Sequence, residues 1–279
     1  MITPPFFPGG DIGKLAVCGT VNDLAMRGAQ PLYMSVGFIL EEGLSMRDLE
    51  RIVESMGRTA AGVGVQIVAG DTKVVNRGSA DRIFINTAGI GLVPAGVELS
   101  AARVQAGDAV LVSGTLGDHG MAVMIRREGL AFESELKSDC APLNGLVAQL
   151  LETVPHVHCL RDPTRGGLAT VLNEIAERAG VGIEIEEMSI PVRDEVRAAC
   201  ELLGLDPLYV ANEGKLIATV PAHEADAALA AMRGHPLGCE AALIGRVTEE
   251  HPGRVVLRTP LGAHRIVDML VGEQLPRIC

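Results

Sequence analysis

The last five residues of the sequence, Leu275-Pro276-Arg277-Ile278-Cys279, place a thiol at a chain end, where the backbone is least restrained. Gly272 lies a few residues upstream, and the residues between it and Cys279 have neither a helical nor a strand period. Fully extended, this stretch reaches roughly 25 Å, the product of its length and the span of one extended residue. Such an arm can carry a sulfur-bound group from one place to another. Composition alone favours the simpler alternative, a frayed terminus whose last residue is cysteine.

Two acidic segments in the first third of the chain could bind a divalent cation. Asn22-Asp23 lies on a predicted helix, and Gly70-Asp71-Thr72-Lys73 is predicted to be a turn directly after a strand of buried type. A carboxylate at the carboxyl end of a strand is well placed for a ligand, because clefts form there in α/β sheets. Paired aspartate oxygens suit Mg²⁺ when phosphate oxygens and water complete its octahedron. The alternatives are an Asx-turn for Asp71 and a solvent-facing helix position for Asp23.

Further polar, glycine-rich segments indicate contacts with anions and acid–base chemistry. Residues 7–14, 118–120 and 162–167 each place glycine and aspartate before a predicted helix, where free backbone N–H groups can bind phosphate. None matches a Walker A loop or a dinucleotide fingerprint, and each alone is also explained by ordinary helix capping. Asn212-Glu213-Gly214-Lys215 precedes a predicted strand and offers a carboxylate for proton transfer. The alternative for Glu213 is an exposed turn.

The composition excludes several classes of protein. The chain has 279 residues, a net charge of −11, no Trp, two Tyr and five Phe, so its core is aliphatic and its surface acidic. A nucleic-acid binder needs a basic surface and aromatic side chains for stacking, and neither is offered here. No apolar run approaches the length of a membrane span, and the first residues do not read as a signal peptide. The six cysteines form no CxxC pair and no zinc-type spacing, which predicts a reduced, cytoplasmic protein.

The predicted elements fall into two α+β units and a tail. In the first unit, residues 1–103, Asp11 is expected to cap a helix that ends near Gly28, and a strand, a second helix from Met46 and two more strands follow. In the second unit, residues 104–271, strands are predicted at 109–113, 182–186, 215–220, 242–247 and 254–259, and helices at 141–153, 166–180, 191–203 and 222–233. Residues 272–279 are predicted to be a flexible tail.

Several of these segments resemble one family, the hydrogenase maturation proteins called HypE. The resemblance runs over the whole chain. It is carried by residues 6–16, 20–25, 70–75, 117–120, 162–169, 211–214 and 276–279. The Asn-Asp and Gly-Asp-Thr motifs are shared with the wider superfamily of aminoimidazole ribonucleotide synthetase, selenophosphate synthetase and thiamine-monophosphate kinase, whereas the terminal Pro-Arg-Ile-Cys is specific to HypE. Members normally begin with a further segment that holds an early strand and an Asp-rich turn, so a shortened N-terminus is expected.

The resemblance implies a fold, an activity and partners. The fold is the two-domain α+β fold of aminoimidazole ribonucleotide synthetase, in which each domain is a mixed sheet packed with helices and the first domain, 1–103, binds ATP. The activity is the ATP-dependent dehydration of an S-carbamoyl group on Cys279 to a thiocyanate, which supplies cyanide for the iron of [NiFe]-hydrogenase. The implied cofactors are ATP and Mg²⁺. The implied partners are the carbamoyltransferase HypF, the HypC–HypD complex and a second copy of the chain, without nucleic acid or membrane.

The chemistry of such a dehydration explains which residue types it needs. Direct loss of the carbamoyl oxygen resembles loss of hydroxide, whose conjugate acid has a pKa of about 15.7, whereas phosphate has a second pKa of about 6. By the resemblance, Asp23 and Asp71 hold Mg²⁺, Lys73 stabilises the transferred phosphoryl group or acts as a base, Glu213 removes a proton from the amide nitrogen, and Cys279 is the tethered substrate. The residues expected to contact the nucleotide are Gly9, Gly10, Asp11, Lys14, Asn22, Asp71, Thr72 and His119.

Two other interpretations stay open at the level of sequence. Another enzyme of the superfamily, such as a selenophosphate synthetase, needs a reactive N-terminal Cys or selenocysteine and leaves the terminal Pro-Arg-Ile-Cys unexplained. A shortened, non-catalytic scaffold would present the tail to maturation partners without turning over ATP. Binding of an ATP analogue with Mg²⁺ separates the scaffold from the enzyme, because the scaffold predicts no binding.

Overall fold

The structure, a computed structural model, describes residues 1–129, 135–272 and 275–279. Part of the predicted tail, residues 273 and 274, therefore lies outside the described residues. The helices in these ranges are α1 (Ile12–Ala25), α2 (Met46–Val63), α3 (Asp118–Glu128), α4 (Asn144–Thr153), α5 (Gly167–Ala179), α6 (Asp194–Leu203) and α7 (Ala225–Arg233). The strands there are β1 (Phe6–Phe7), β2 (Gly10–Asp11), β3 (Gln30–Glu41), β4 (Gln66–Val75), β5 (Ile83–Leu92), β6 (Asp108–Val112), β7 (Cys159–Arg161), β8 (Gly182–Glu186), β9 (Ile217–Pro221), β10 (Ala242–Thr248), β11 (Val255–Arg258) and β12 (His264–Val267).

Helix α1 begins at the predicted cap. The Asp11 carboxylate accepts hydrogen bonds from the backbone amides of Gly13 (2.8 Å) and Lys14 (3.1 Å), which satisfies two N–H groups that a helix start leaves unpaired. Along its length α1 buries Val17 and Val21 in an apolar cluster shared with the first sheet and α2. The cap thus fixes where the helix starts, and the apolar positions fix which side faces the sheet.

The first sheet contains β4, β3 and β5 in that order among the described residues, with β4 parallel and β5 antiparallel to β3. The prediction of a turn at Gly70-Asp71-Thr72-Lys73 is wrong, because these residues continue β4 and pair with residues 36–39 of β3. Gly-Asp is a local turn signal, whereas the β-branched Thr72, Val74 and Val75 favour an extended chain, and pairing with β3 decides between them.

The second sheet places its strands in the order β12-β11-β8-β10-β6-β9-β7 within the described residues. Only β8 and β11 are parallel among these pairs, and the sheet is therefore mixed. Its two faces bury two separate apolar cores, because alternate residues of β6 point to opposite sides. Helix α5 covers one face, and α4 and α7 cover the other. Strands β7 and β12 are too short to show a period in sequence, and the sequence analysis did not predict them.

Together the two mixed sheets and their helices confirm the expected two-domain α+β fold. The units meet where Ile12 and Leu15 of α1 pack with Val123 of α3 and Ala211, in a cluster that also contains Ile278 of the tail. The predicted boundaries near 103 and 271 stay a prediction. Of the helices described, each is too short or too polar to cross a membrane.

Candidate active site

A cavity of about 360 Å³ lies where α1, β5 and the tail meet. Among the described strands only β3 pairs with β5, so the other edge of β5 opens onto this cavity. The lining brings together the thiol end of the tail, two carboxylates and one guanidinium with apolar and small residues of α1. Its residues are Met1, Ile12, Leu15, Ala16, Gly19, Thr20, Asp23, Ile85, Asn86, Thr87, Arg165, Glu213 and Cys279.

Glu213 is the most deeply buried carboxyl group of the cavity, with 4% of its surface exposed. Its backbone N–H donates to the Asp139 carboxylate (3.0 Å), and its side-chain Oε1 has no hydrogen-bond partner among the described residues. Burial raises the pKa of Glu213 well above its usual range, and the nearby carboxylates of Asp139 and Asp162 raise it further. The exposed turn considered from sequence is therefore wrong, since the group is enclosed.

Gly214 explains how Glu213 is held in place. A Cβ atom at this position would come within 1.9 Å of the Asp139 carbonyl oxygen, so the chain passes too close to Asp139 for any side chain. On its other side, Lys215 donates to the Asp139 carboxylate (3.1 Å). Asp139 thus contacts both residues that flank Gly214, and it sets the position of Glu213 through the backbone.

Asn22 joins the two units directly beside Glu213. Its amide nitrogen donates to the carbonyl oxygens of Ala141 (3.1 Å) and Glu213 (3.3 Å), and its Oδ1 accepts from the Leu143 amide (2.8 Å). The side chain is 2% exposed and does not line the cavity. Its hydrogen-bonding groups are used by the protein backbone, and the predicted contact with nucleotide stays a prediction.

Asp23 lines the cavity, and its charge interacts with those of Asp162, Arg161 and Arg165. Desolvation raises the pKa of Asp23, against the opposing effect of Arg161 and Arg165. Burial raises the pKa of Asp162 to about 6, and the charge of Asp23 contributes in the same direction. No set of three or more His, Cys, Asp or Glu side chains in the described ranges is arranged to hold a metal ion by itself. Mg²⁺ bound with a nucleotide needs only one or two carboxylates, and the cavity offers that of Asp23.

The tail is docked, and His119 lies beneath it. His119 is fully buried, with Nε2 2.7 Å from the Ile278 carbonyl oxygen and Nδ1 2.8 Å from the Ser138 hydroxyl. A carbonyl oxygen can only accept, so Nε2 carries the proton and Nδ1 accepts from Ser138. Burial lowers the pKa of His119, which keeps the ring neutral. The sequence suggested a nucleotide contact for His119, whereas the structure places it against the tail backbone and outside the cavity lining.

Arg127, also on α3, binds the same segment. Its guanidinium donates to the carbonyl oxygens of Thr3 (2.8 Å), Pro276 (2.7 Å) and Arg277 (2.7 Å). Ile2 forms an antiparallel bridge with Ile278, whose side chain is 3% exposed. The sequence analysis missed Arg127, because an arginine in the run Arg126-Arg127-Glu128 looks like part of a solvated helix surface.

Asp71, Thr72 and Lys73 do not line the cavity. In register, Asp71 lies opposite Gly37 of β3, which lies opposite Asn86 of β5, so Asp71 is two strand spacings, about 10 Å, from the cavity wall. Side chains alternate along a strand, and Asp71 and Lys73 therefore share the sheet face that points away from α1. All three residues are exposed. The structure separates them from Asp23 and Glu213, which approach the cavity from the α1 side.

The predicted phosphate segment at the start of α1 also lies beside the cavity rather than in its lining. Gly9 lies in the turn between β1 and β2, Gly10 pairs with Phe7 in that hairpin, and the Lys14 amine donates to the Gly9 carbonyl oxygen (3.0 Å). Asp11 occupies the N–H groups at the helix start, as described above. Contact of these four residues with phosphate stays a prediction.

Comparison with known proteins follows the same division into two units. The model of the AIR synthase related protein N-terminal domain matches residues 1–93, and that of the C-terminal domain matches residues 105–258. Carbamoyl dehydratase HypE of Cupriavidus necator is 60% identical over 279 residues, which are 100% of this chain and 80% of that protein.

Two solved structures are similar over almost the whole chain. Hydrogenase maturation protein HypE in complex with ATP has a TM-score of 0.96 and 54% identity, with 100% of this chain and 84% of that chain covered. A HypE–HypF complex contains a chain with a TM-score of 0.93 and 52% identity, with coverage of 96% and 88%. The first of these similarities covers the whole of this chain, the tail included.

Proposed function

This chain belongs to the HypE family of carbamoyl dehydratases, within the AIR synthase related proteins, and from that premise we propose that it converts an S-carbamoyl group on Cys279 into a thiocyanate. It is an ATP-dependent enzyme with a role in hydrogenase maturation. The thiocyanate would supply cyanide for the iron of a [NiFe]-hydrogenase. The observation that carries the proposal is the presence of Cys279 and the buried Glu213 in one cavity.

The reaction must break a C–O bond and make a C–N triple bond. Bound ATP, its charge balanced by Mg²⁺, supplies the phosphoryl group that lets the carbamoyl oxygen leave as phosphate. The amide nitrogen must lose two protons over the same sequence, and the cavity has to supply an acceptor for them. Because the substrate is covalently attached to the chain, its encounter with the cavity is intramolecular, which removes the entropy loss of a bimolecular step.

Glu213 is the proposed proton acceptor. Its Oε1 has no partner among the described residues, and it belongs to the cavity that Cys279 enters. A base works best when its pKa is close to the working pH. Burial raises the pKa of Glu213 from the usual acidic range of a carboxyl group toward that pH. The contact between Asp139 and the Glu213 backbone fixes the position of the Glu213 main chain beside the cavity.

Asp23 and Asp71 are the proposed carboxylate ligands of Mg²⁺, and Lys73 the proposed partner of the transferred phosphoryl group. The exposed carboxylate oxygens of both aspartates have the donor chemistry that Mg²⁺ prefers. Strands β3 and β5 separate them within one chain, by more than the ligands of one Mg²⁺ can span, so both could bind the same ion only if a second copy of the chain brings its Asp71 to the cavity.

A homodimer is proposed to cover that outer face. Tyr33, Ile39 and Ile90 lie on it with 46%, 41% and 67% of their surfaces exposed, which is an unusual arrangement for a sheet in water. Pairing of two such faces would bury them and enclose Asp71 and Lys73. HypF is the supported partner through the related complex, and HypC–HypD and a cytoplasmic location are proposed from family membership.

Intact-protein mass spectrometry tests the proposed function. The full chain is incubated with a carbamoyl donor, the carbamoyltransferase HypF and ATP. We expect the mass to rise by one carbamoyl group and then to fall by one water. Cys279→Ala should abolish both changes while ATP hydrolysis is partly retained. A thiocyanate product in Cys279→Ala would refute the assignment of the tail.

The non-catalytic scaffold is the second candidate, and the separation of Asp71 and Lys73 from the cavity favours it for an isolated chain. Calorimetric titration with an ATP analogue and Mg²⁺ distinguishes the two functions. Absence of binding at protein concentrations where the chain is dimeric would support the scaffold.

A further inference from the structure

Arg127 contacts the tail only through its backbone. The guanidinium donates from Nη1 to the Pro276 carbonyl oxygen and from Nη2 to that of Arg277, both at 2.7 Å, while Nε donates to Thr3 (2.8 Å). A planar guanidinium with a fixed fork of donors suits neighbouring carbonyl groups, and an ammonium group cannot reproduce that geometry. These hydrogen bonds therefore fix the backbone of the tail and do not depend on the identity of its side chains.

The next carbonyl along the tail is held by a different residue. His119 Nε2 lies 2.7 Å from the Ile278 carbonyl oxygen. Three consecutive carbonyl groups before Cys279 are thus bound by two side chains of α3. Neither of these two side chains lines the cavity.

We propose that Arg127 is a positioning residue that sets the balance between a docked tail, with Cys279 in the cavity, and a released tail that the carbamoyltransferase can load. This inference rests on the proposed function, which gives Cys279 two reaction sites. In the docked tail, Cys279 lines a cavity of about 360 Å³ that has no room for a second protein. Loading by a partner requires the carbonyl contacts to break, and dehydration requires them to form again.

The position of the tail can be measured without any turnover, by the rate at which iodoacetamide alkylates Cys279. Cys239 is exposed and is replaced by serine in every variant, and peptide mass spectrometry follows each remaining cysteine. A hydrogen bond to a charged group contributes about 1.5–3 kcal/mol, so loss of even one corresponds to roughly a tenfold shift or more. We expect Arg127→Ala to accelerate alkylation of Cys279 at least about tenfold, and Arg127→Lys to give an intermediate rate.

Two variants serve as matched controls. Arg126→Ala removes an exposed neighbouring charge on α3. Asp81→Asn removes the exposed ion pair between Asp81 and Arg277 of the tail (3.0 Å), a type of contact that contributes little in water. Both should alkylate within about twofold of the parent chain. Cys18, Cys140, Cys159 and Cys200 are buried and report whether each variant is folded.

The outcomes separate this proposal from the proposed function. If Arg127→Ala and Arg127→Lys alkylate Cys279 at the control rate while the buried cysteines stay protected, Arg127 does not position the tail. If Arg127→Ala also exposes the buried cysteines, that variant is not folded, and the alkylation rate of Cys279 in Arg127→Lys becomes the test. With HypF, carbamoyl donor and ATP, the Arg127 variants should gain carbamoyl at least as fast as the controls and lose water more slowly. A parent chain that never forms thiocyanate would refute the proposed function and leave the alkylation result standing.

Discussion

The two faces of the first sheet carry similar chemical groups in opposite surroundings. On the α1 side, Glu213 is buried and Cys279 lies in a cavity whose approaches are held by hydrogen bonds to α3. On the outer side, Asp71 and Lys73 project from β4, an edge strand whose residues are nearly all exposed. The residues proposed for the sulfur chemistry are thus organised within a single chain, whereas those proposed to bind the nucleotide are exposed. A dimer with its partner on the outer face would remove this difference.

The largest effect is expected at Glu213, on the organised side. Glu213→Gln keeps the size of the side chain and removes its basicity, so dehydration should fall by about 10²–10⁴-fold while nucleotide binding is retained. Thiocyanate yield by mass spectrometry and calorimetric titration with an ATP analogue measure the two properties separately. An unaltered yield of thiocyanate would remove Glu213 from the mechanism.

A smaller effect is expected from Asp71, on the open side. Asp71→Asn should weaken binding of the ATP analogue with Mg²⁺ by about 10–100-fold, because one charged ligand of the metal is lost. The alkylation rate of Cys279 should not change, since Asp71 does not contact the cavity. Glu54→Gln, which removes an exposed carboxylate from α2, is the control. Equal affinities of Asp71→Asn and this control would show that β4 does not bind the metal.

The dimer prediction tests whether a second chain completes the open side. Ile90→Asp places a charge on the outer face, opposite Tyr33 of β3, and we expect it to weaken self-association at least about tenfold. Sedimentation velocity over a range of concentrations measures the change. Leu261→Asp alters an apolar residue of the second unit that is 98% exposed and should leave association unchanged. If the parent chain stays monomeric throughout, this explanation of the open face fails.

The smallest effect concerns stability and pH at Asp162. Its folded-state pKa of about 6 is above the usual value of 3.8, so between these values the folded chain binds more protons than the unfolded chain. Stability should therefore fall as pH rises from about 4 to about 6, by about 1–2 kcal/mol after allowance for solvent screening. Asp162→Asn should flatten this part of the profile in urea unfolding between pH 4.5 and 7. An identical slope in both chains would contradict the cause assigned to the shift.

Sequence signals were sufficient where the deciding interactions are local. The Asp11 cap and the apolar positions of α1 and α2 lie within a few residues of one another, and the observed helices agree with them. The turn predicted at Gly70-Asp71-Thr72-Lys73 failed because its competitor, the pairing with β3, involves residues more than thirty positions away. Local propensity carries no information about that pairing.

The candidate site shows the same limit. Glu213 and Cys279 could be selected from their motifs, and the structure places them in one cavity. The neighbours that organise them could not be selected, because Arg127 and Asp139 act on backbone groups far along the chain. A side chain that binds a distant carbonyl or amide leaves no periodic or spacing signal. His119 contacts Ser138 and the Ile278 carbonyl oxygen, and its predicted contact with nucleotide stays a prediction.

The three hydrogen bonds of Asn22 have a consequence for how the molecule works in time. They fasten the end of α1 to residues 141–143 and to Glu213, across the boundary between the two units. These hydrogen bonds restrict hinge motion of the two units relative to each other. In the proposed reaction, movement of the short terminal peptide would then carry the sulfur into and out of the cavity, and the rate of that movement would limit turnover.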